Sequence, residues 1–254
     1  MKLNFAEQLL VNNRVRTAVQ TFYEGPLLRR LGGMVRGGTV LEIGCGRGAG
    51  IEVILRQFDA AHVCGIDLDP LQIERARRRL QSKYSGRFTL VQGDAERLPF
   101  ADRSFDAVFD FGALHHLVDW QRGIAEILRV LKPGGTLFFE EVMRSALERW
   151  IYRRFLDHPS ENRFSEAEFM AEIENHGLRP TVAPRRILFG DIFIGTAKLP
   201  QPWQSCHNHR ESCVDALSRF APDDSGFWER GELVMLAVSI HAIGVHPASP
   251  LTSA

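Results

Sequence analysis

The sequence lacks an apolar run long enough to cross a bilayer. Its longest largely apolar stretch covers residues 233–245, whereas a membrane-spanning helix needs about 18 or more such residues. The N-terminus carries Lys2, Asn4 and Glu7 where a signal peptide would have an apolar core. We therefore expect a soluble, cytoplasmic protein without a membrane span.

Cysteine is scarce, and neither sign of charge is in excess. The four cysteines are Cys45, Cys64, Cys206 and Cys213. They do not form the dense pattern of a secreted disulfide framework. Lys and Arg together number 31, as do Asp and Glu. This balance gives no electrostatic footprint for nucleic acid, so we expect no DNA partner.

Only one short segment resembles a set of metal ligands. Cys206, His207, His209 and Cys213 fall close together in a stretch with little periodicity. Structural zinc sites usually take two ligands from each of two separated clusters. We therefore expect no metal site.

The most informative stretch is residues 40–50, where an apolar strand leads into alternating glycines. Gly44, Gly46 and Gly48 allow a sharp turn and let a ligand approach the backbone. Apolar residues then recur at helical spacing over residues 51–58, so the pattern predicts strand, turn and helix. The free N–H groups and partial positive charge at the start of that helix favour a nucleotide-like ligand with an anionic group.

The same glycines fit two classes of ligand. Residues 44–49 match the G-x-G-x-x-G/A pattern of dinucleotide-binding proteins. Glu42, two residues before the first glycine, would repel a pyrophosphate. It would instead attract the amine of S-adenosylmethionine (SAM), which also carries a sulfonium. Glu42 therefore favours SAM over NAD.

A second acid, Asp67, ends the next predicted strand, at residues 61–66. At this position of a β-α-β unit, an acid can accept both ribose hydroxyls of a nucleoside. The alternative is a solvated loop acid. Asp69 and Pro70 predict the start of the next helix, at residues 71–81, as its N-cap and first helical position.

Two further strand ends offer groups for a nucleoside. After the strand predicted at 88–91, Asp94 could accept from an adenine amino group, and the Ala95 N–H could donate to a ring nitrogen. Phe111 ends the strand predicted at 105–111. These ends lie on the side where ligands bind in open α/β sheets.

The chain divides into three segments by pattern. Residues 1–35 predict an N-terminal helical cap that either covers the site or only packs against the sheet. Residues 36–199 form the α/β domain, and residues 200–254 a C-terminal extension without an assigned role. We expect a chain ending at Leu199 to fold and bind SAM. The last strands of the domain are expected at 136–142, 181–182 and 187–198.

In order and spacing, these motifs resemble class I SAM-dependent methyltransferases, in the group of the ubiquinone and menaquinone C-methyltransferases (methyltransferase type 11). The glycine motif, Asp67, the loop at 93–95, the pair His115 and His116, and a Lys-Pro-Gly-Gly turn at 132–135 carry the resemblance. It implies a Rossmann-like, doubly wound α/β fold. The implied sheet has seven strands in the order 3-2-1-4-5-7-6, with strand seven antiparallel and helices on both faces.

The resemblance also implies how SAM binds. The glycine run would line its methionine part, the acid before that run would hold its amine, and the acid after strand two would bind the ribose. The loop after strand three would bind the adenine. The expected cofactor-binding residues are Glu42, Gly44, Gly46, Gly48, Asp67, Asp94, Ala95 and Phe111.

Arg47 departs from the family pattern, which often has another residue there. Its side chain could pair with the SAM carboxylate or point to solvent, and we favour solvent.

The expected activity is methyl transfer from SAM to a small, largely apolar or aromatic acceptor, on oxygen or carbon. The donor is already activated, so the protein mainly aligns the reactants. A base is needed only if the acceptor must lose a proton, and His115 and His116 are the candidates. Glu140 and Glu141 could orient a polar acceptor, or one of them could be buried against an arginine. The aromatic residues expected near the acceptor are Phe5, Phe22, Tyr23, Trp150, Tyr152 and Phe155.

Two alternatives stay open on this evidence. The acceptor could be RNA or protein, or the chain could bind SAM without turnover.

Overall fold

The computed structural model describes residues 14–147, 162–187 and 190–201, which belong to one compact unit. Several predictions therefore lie outside the described residues. They include the first part of the cap and the C-terminal extension from residue 202 onward with its Cys-His segment. The sequence also predicts a helix at 145–156, and most of it lies outside the described residues.

The described residues form one sheet of eight strands. The strands are β1 (Thr39–Ile43), β2 (His62–Asp67), β3 (Phe88–Gln92), β4 (Phe105–Phe111), β5 (Leu131–Val142), β6 (Arg179–Pro180), β7 (Arg185–Ile187) and β8 (Ile192–Lys198). Their order is β3-β2-β1-β4-β5-β8-β6, and β7 also pairs with β8. The first five are parallel, and β8 runs antiparallel to β5.

The expected sheet order is confirmed, with β8 in the place of the expected seventh strand. The single strand predicted at 187–198 is two strands, however. Ile187 ends β7 and pairs with Ile192 at the start of β8 in an antiparallel hairpin. Gly190 lies between them with φ +88°, a conformation that L side chains rarely adopt. The short strand predicted at 181–182 is found at 179–180.

The Lys-Pro-Gly-Gly turn lies inside β5 rather than before it. Leu131 pairs with Phe105, and the register then shifts so that Thr136 pairs with Ala107. Residues 132–135 of β5 lie opposite the single residue Asp106 of β4, so this shift acts as a bulge in a strand that starts earlier than predicted.

Helices pack on both faces of the sheet, as expected. They are α1 (Arg14–Val19), α2 (Gly25–Gly32), α3 (Ala49–Gln57), α4 (Pro70–Tyr84), α5 (Trp120–Val130), α6 (Arg144–Leu147) and α7 (Glu166–Asn175). One apolar core joins α2, α3 and α4 to the sheet, and a second joins α5 and α7 to it. A π-helical turn, Gln20–Glu24, connects α1 to α2. In the part of the chain described, no helix has both the length and the apolar character to span a membrane.

The predicted helix start at Asp69 is confirmed, and a second helix start also has a side-chain cap. Asp69 accepts a hydrogen bond from the Leu71 N–H (3.0 Å), and Pro70 is the first residue of α4. Ser165 and Glu168 form a reciprocal capping box at the start of α7. The Asp69 cap fixes where α4 begins relative to the end of β2. The connection between β2 and α4 borders the cleft described below.

Candidate active site

A cleft opens at the carboxyl ends of β1, β2 and β4. It encloses about 290 Å³, near the lower end of the range for small-molecule pockets, about 300 Å³. The chain runs from β1 outward to β2 and β3, and then returns to β4 on the other side of β1. Such a switch point is where open α/β sheets bind ligands.

The glycine turn after β1 forms one wall of this cleft. Gly44, Gly46 and Gly48 have φ values of 60°, 50° and 80°. The Gly46 N–H donates to Oδ2 of Asp67 (2.8 Å), and the Cys45 N–H donates to the backbone oxygen of Ile66 (2.9 Å). These bonds hold the turn against the end of β2, so that a ligand meets main chain there.

Glu42 is a buried acid with an incomplete set of hydrogen bonds. It lines the cleft and is 2% exposed, and its Oε2 has no hydrogen-bond partner among the described residues. A Cβ on Gly50 would overlap with Oε1 of Glu42, so the glycine in α3 makes room for the carboxylate. Burial, then the charge of Asp67, raises the pKa of Glu42 well above its usual range. A cationic group of a ligand would supply the missing partner.

Asp67 is held in one orientation by the backbone. Its Oδ2 accepts from Gly46, and its Oδ1 accepts from the Asp69 N–H (2.9 Å). Burial raises the pKa of Asp67, and these two hydrogen bonds oppose that shift. Each carboxylate oxygen keeps a further lone pair for a ligand hydroxyl.

Asp94 and Ala95 line the same cleft. Oδ1 of Asp94 accepts from the Glu96 N–H (2.9 Å). The Glu96 carboxylate in turn accepts from the N–H groups of Val118 (2.9 Å) and Asp119 (3.1 Å). The loop after β3 is thereby tied to the loop after β4, and both border the cleft.

Phe111 and Gly48 differ in their placement. Phe111 lines the cleft, whereas Gly48 is not among the lining residues. Gly48 precedes α3 as its N-cap, and a Cβ on it would lie 2.9 Å from Leu80 and 3.2 Å from Ala76 of α4. Gly48 therefore lets α4 pack against the turn, and its contact with the cofactor stays a prediction.

Arg47 does not point to solvent, and this expectation was wrong. It lines the cleft, and its Nη2 donates to Oγ1 of Thr17 in α1 (3.2 Å). Burial, then the positive charges of Arg79 and Arg75, lowers the pKa of Arg47. The sequence could not place α1 over the turn, and so could not show this contact.

The described part of the N-terminal segment borders the cleft. Arg16 and Gln20 line it. Arg16 forms an ion pair with Glu24, and its Nη2 lies 2.9 Å from Oε2 of Glu140 at the end of β5. This arginine ties α1 to the sheet. Glu140 thus holds the cap and is not directed at an acceptor.

Of the aromatic residues expected near the acceptor, the two that the structure describes do not line the cleft. Phe22 is 81% exposed and Tyr23 is 52% exposed, and neither is among the lining residues. The other four, Phe5, Trp150, Tyr152 and Phe155, lie outside the described residues. Apolar lining near the histidines comes instead from Ala113, Leu117 and Val118.

His115 is buried beneath the cleft and bonded to an acid. Its side chain is 8% exposed, and its Nδ1 lies 2.5 Å from Oε2 of Glu141. Oε1 of Glu141 accepts from the Leu114 N–H (2.7 Å), and Oδ1 of Asp110 accepts from the Ala113 N–H (2.7 Å). Two buried carboxyl groups therefore fix the loop that borders the acceptor side of the cleft.

His116 occupies a different position from its neighbour. It lines the cleft, whereas His115 does not, and the two rings lie 4.2 Å apart between centroids. The structure therefore separates the two candidate bases. His116 lines the space for the ligand, and His115 contacts Glu141 outside that space.

Arg16, Gly50 and Gln72 are among the cleft residues to which sequence reasoning gave no role. Arg16 gave no signal, because its partner Glu140 is far away in the chain. Gly50 follows the glycine run but falls outside the recognised motif. Gln72 carried a local signal, because it is a polar residue at helical spacing from buried Ala76 and Leu80.

Comparison with known proteins agrees with this geometry. The model of a family described as a methyltransferase domain matches residues 41–139. A phthiotriol/phenolphthiotriol dimycocerosates methyltransferase of Mycobacterium leprae is 38% identical over 109 residues, covering 43% of this chain and 39% of that protein. A fatty-acid O-methyltransferase of Mycolicibacterium smegmatis is 39% identical over 107 residues, covering 42% and 38%.

A solved structure has the same fold. A SAM-dependent methyltransferase from Aquifex aeolicus superposes with a TM-score of 0.62 at 20% identity, covering 78% of this chain and 100% of that one. The chain spans about two fifths of the length of the curated relatives it matches. Residues 41–139 therefore form the core of a class I SAM-dependent methyltransferase domain, and SAM is its cofactor. The unpartnered Glu42 oxygen and the fixed Asp67 carboxylate fit that cofactor's amine and ribose.

Proposed function

We propose that this protein transfers a methyl group from SAM to an oxygen of a small, largely apolar acceptor. The observation that carries the proposal is the buried Glu42 carboxylate. Its Oε2 has no hydrogen-bond partner within the described ranges, and the residue lines a cleft at the switch point of a methyltransferase sheet. A cationic ligand completes its hydrogen bonding, and SAM is cationic at both its amine and its sulfonium.

The residues around the cleft suggest how the cofactor is held. Glu42 takes the amine end, beside the backbone of Gly44 and Gly46. Asp67 accepts from the ribose, while Asp94 and Ala95 meet the adenine. Bound SAM supplies an activated methyl group, so these contacts serve mainly to align it.

The acceptor side supports an apolar substrate. Ala113, Leu117 and Val118 line the cleft around His116, and pockets for small molecules are mostly apolar with a few placed polar groups. The relatives point the same way, since one is a fatty-acid O-methyltransferase and another is a methyltransferase of phthiotriol dimycocerosates. A hydroxyl or carboxyl group on an apolar body is the acceptor class that these observations favour together.

His116 is the residue placed to take a proton from such an acceptor. It lines the cleft, and histidine titrates near neutral pH. His115 acts through its bond to Glu141 and holds the loop on which His116 lies. We assign His116 the role of base and His115 a positioning role.

A methyl-transfer screen tests the proposal. The full-length protein is incubated with methyl-labelled SAM and a panel of fatty acids, phenols, quinones and amines, and products are identified by mass spectrometry. We expect label in apolar oxygen acceptors. Transfer only to amines, RNA or protein would contradict the acceptor class. Tight SAM binding with no transfer to the panel or to a metabolite extract would favour a non-catalytic role.

A further inference from the structure

Gln72 carries a side-chain amide that is buried at the wall of the cleft. It lies in the first turn of α4, lines the cleft and is 2% exposed. Both its Nε2 and its Oε1 are buried and have no hydrogen-bond partner among the described residues. Glu42 also has an orphan oxygen in the cleft wall, but Gln72 lacks partners for a donor and an acceptor at once.

The position of Gln72 follows from the packing of α4. Gln72, Ala76 and Leu80 are spaced four residues apart and form one buried stripe on this helix. Gly48 of the glycine turn faces Ala76 and Leu80. Gln72 lies one helical turn before Ala76, near the start of α4. Asp69 caps this helix and also donates its N–H to Asp67. Gln72 therefore lies beside the end of β2.

An unpartnered buried amide at this position is costly. Leaving a buried donor or acceptor without a partner typically costs more than one hydrogen bond contributes. A leucine would continue the apolar stripe of α4 without that cost. The group that satisfies Gln72 therefore comes from the ligand, whose space the side chain lines.

The chemistry of Gln72 selects one part of that ligand. A carboxamide both donates and accepts, and so do ribose hydroxyls. The amine of SAM is a donor only and is matched by Glu42, whereas adenine is bordered by the loop of Asp94 and Ala95. Asp67, the neighbour of Gln72, only accepts. A hydroxyl that donates to Asp67 still has lone pairs, and these fit the Nε2 donor.

We propose that Gln72 is a cofactor-binding residue that hydrogen-bonds a ribose hydroxyl of SAM together with Asp67. This inference rests on the orientation of SAM proposed above. It adds a specificity contact that distinguishes ribose from deoxyribose, and it explains a polar residue in an otherwise apolar stripe.

Titration calorimetry with S-adenosylhomocysteine and its 2′-deoxy and 3′-deoxy analogues tests the inference. The proteins compared are the full-length wild type, Gln72→Leu, Gln72→Met and the matched control Gln81→Leu, which makes the same change at an exposed position of α4. We expect Gln72→Leu and Gln72→Met to bind S-adenosylhomocysteine about 3- to 10-fold more weakly than the wild type, and Gln81→Leu to bind equally well. One of the two deoxy analogues lacks the hydroxyl that Gln72 binds. The wild type and the Gln72 variants should bind that analogue with the same affinity.

Thermal unfolding without ligand separates this role from a structural one. We expect both Gln72 variants to unfold at or above the wild-type midpoint, because an unsatisfied amide has been removed. Unchanged affinity, or an equal loss for all three ligands, would overturn the role of Gln72. Failure of the wild type to bind S-adenosylhomocysteine would instead overturn the proposed SAM site itself.

Discussion

Nδ1 of His115 lies 2.5 Å from Oε2 of Glu141, a carboxylate with no solvent exposure. The pair joins the loop after β4 to the end of β5. The contact between Nδ1 and the Glu141 carboxyl group holds His115 in one orientation and leaves Nε2 as its remaining nitrogen. His115 is therefore a support for the loop, and the cleft-lining His116 is the histidine that an acceptor would meet.

Replacing each histidine by asparagine separates these roles. With an acceptor that must lose a proton, we expect His116→Asn to lower kcat by about 100-fold, the scale of general-base catalysis. S-adenosylhomocysteine affinity should stay within about 3-fold of wild type. His115→Asn should lower kcat less and also lower the unfolding temperature, since Glu141 loses a buried partner. A larger kcat loss in His115→Asn, with unchanged stability, would contradict this assignment.

The Glu141 carboxyl should make stability depend on pH. Burial raises the pKa of Glu141 to about 7, from a usual value of 4.5, although hydrogen bonds from Asp110, Leu114 and Val142 oppose the shift. Between these values the folded protein binds more protons than the unfolded chain. The free energy of unfolding should therefore fall as pH rises from about 4.5 to 7, by up to about 1.4 kcal/mol per pH unit for this group.

Urea unfolding at several pH values measures this slope. We expect Glu141→Gln to show a flatter slope than wild type, because glutamine does not titrate and still offers an acceptor to Leu114. Glu174→Gln, at an exposed position, serves as the control and should follow the wild type. Identical slopes in wild type and Glu141→Gln would show that Glu141 ionises normally.

The parts of the site that sequence could predict depend on short-range rules. Asp69 and Pro70 define the start of α4 because capping is a contact between near neighbours. Asp67 follows a strand, and its position beside the glycine turn follows from parallel pairing of β1 with β2. Once the order of strands was known from the resemblance, these side chains had to meet at one edge of the sheet.

The parts that sequence could not predict depend on long-range packing. Arg16 reaches Glu140 across 124 positions of the chain, and no periodicity indicates such a pair. The two adjacent histidines also look equivalent in sequence. They differ only because the turn at Leu114–His116 directs one ring toward Glu141 and places the other on the cleft.

Gly50 should be essential for placing Glu42. A Cβ at this position would overlap with Oε1 of Glu42 and lie 2.8 Å from the Phe111 ring, so Gly50→Ala forces the carboxylate out of place. We expect affinity for SAM to fall by about 10-fold or more, with a lower unfolding temperature. Gly86→Asn is the control, because a Cβ there would meet nothing within 4 Å and asparagine tolerates its positive φ. Normal SAM affinity in Gly50→Ala would mean that Glu42 does not hold the cofactor.

Arg16 should stabilise the cap through two buried acids. The side chains of Glu24 and Glu140 are 1% and 4% exposed, and Arg16 pairs with both. Burial, then the charge of Glu140, raises the pKa of Glu24, so removing the arginine leaves two poorly solvated carboxyl groups side by side. We expect Arg16→Met to lower the free energy of unfolding by about 3 kcal/mol and to weaken SAM binding, since Arg16 lines the cleft.

A double-mutant cycle tests whether this loss comes from the ion pair. Glu140→Gln removes one of the two acids, so Arg16→Met combined with Glu140→Gln should be more stable than Arg16→Met alone. Arg29→Met, at an exposed position of α2, controls for the loss of an arginine and should leave stability within about 0.5 kcal/mol of wild type. If the two changes add without coupling, the cap is held by apolar packing, and the contact between Arg16 and Glu140 contributes nothing to it.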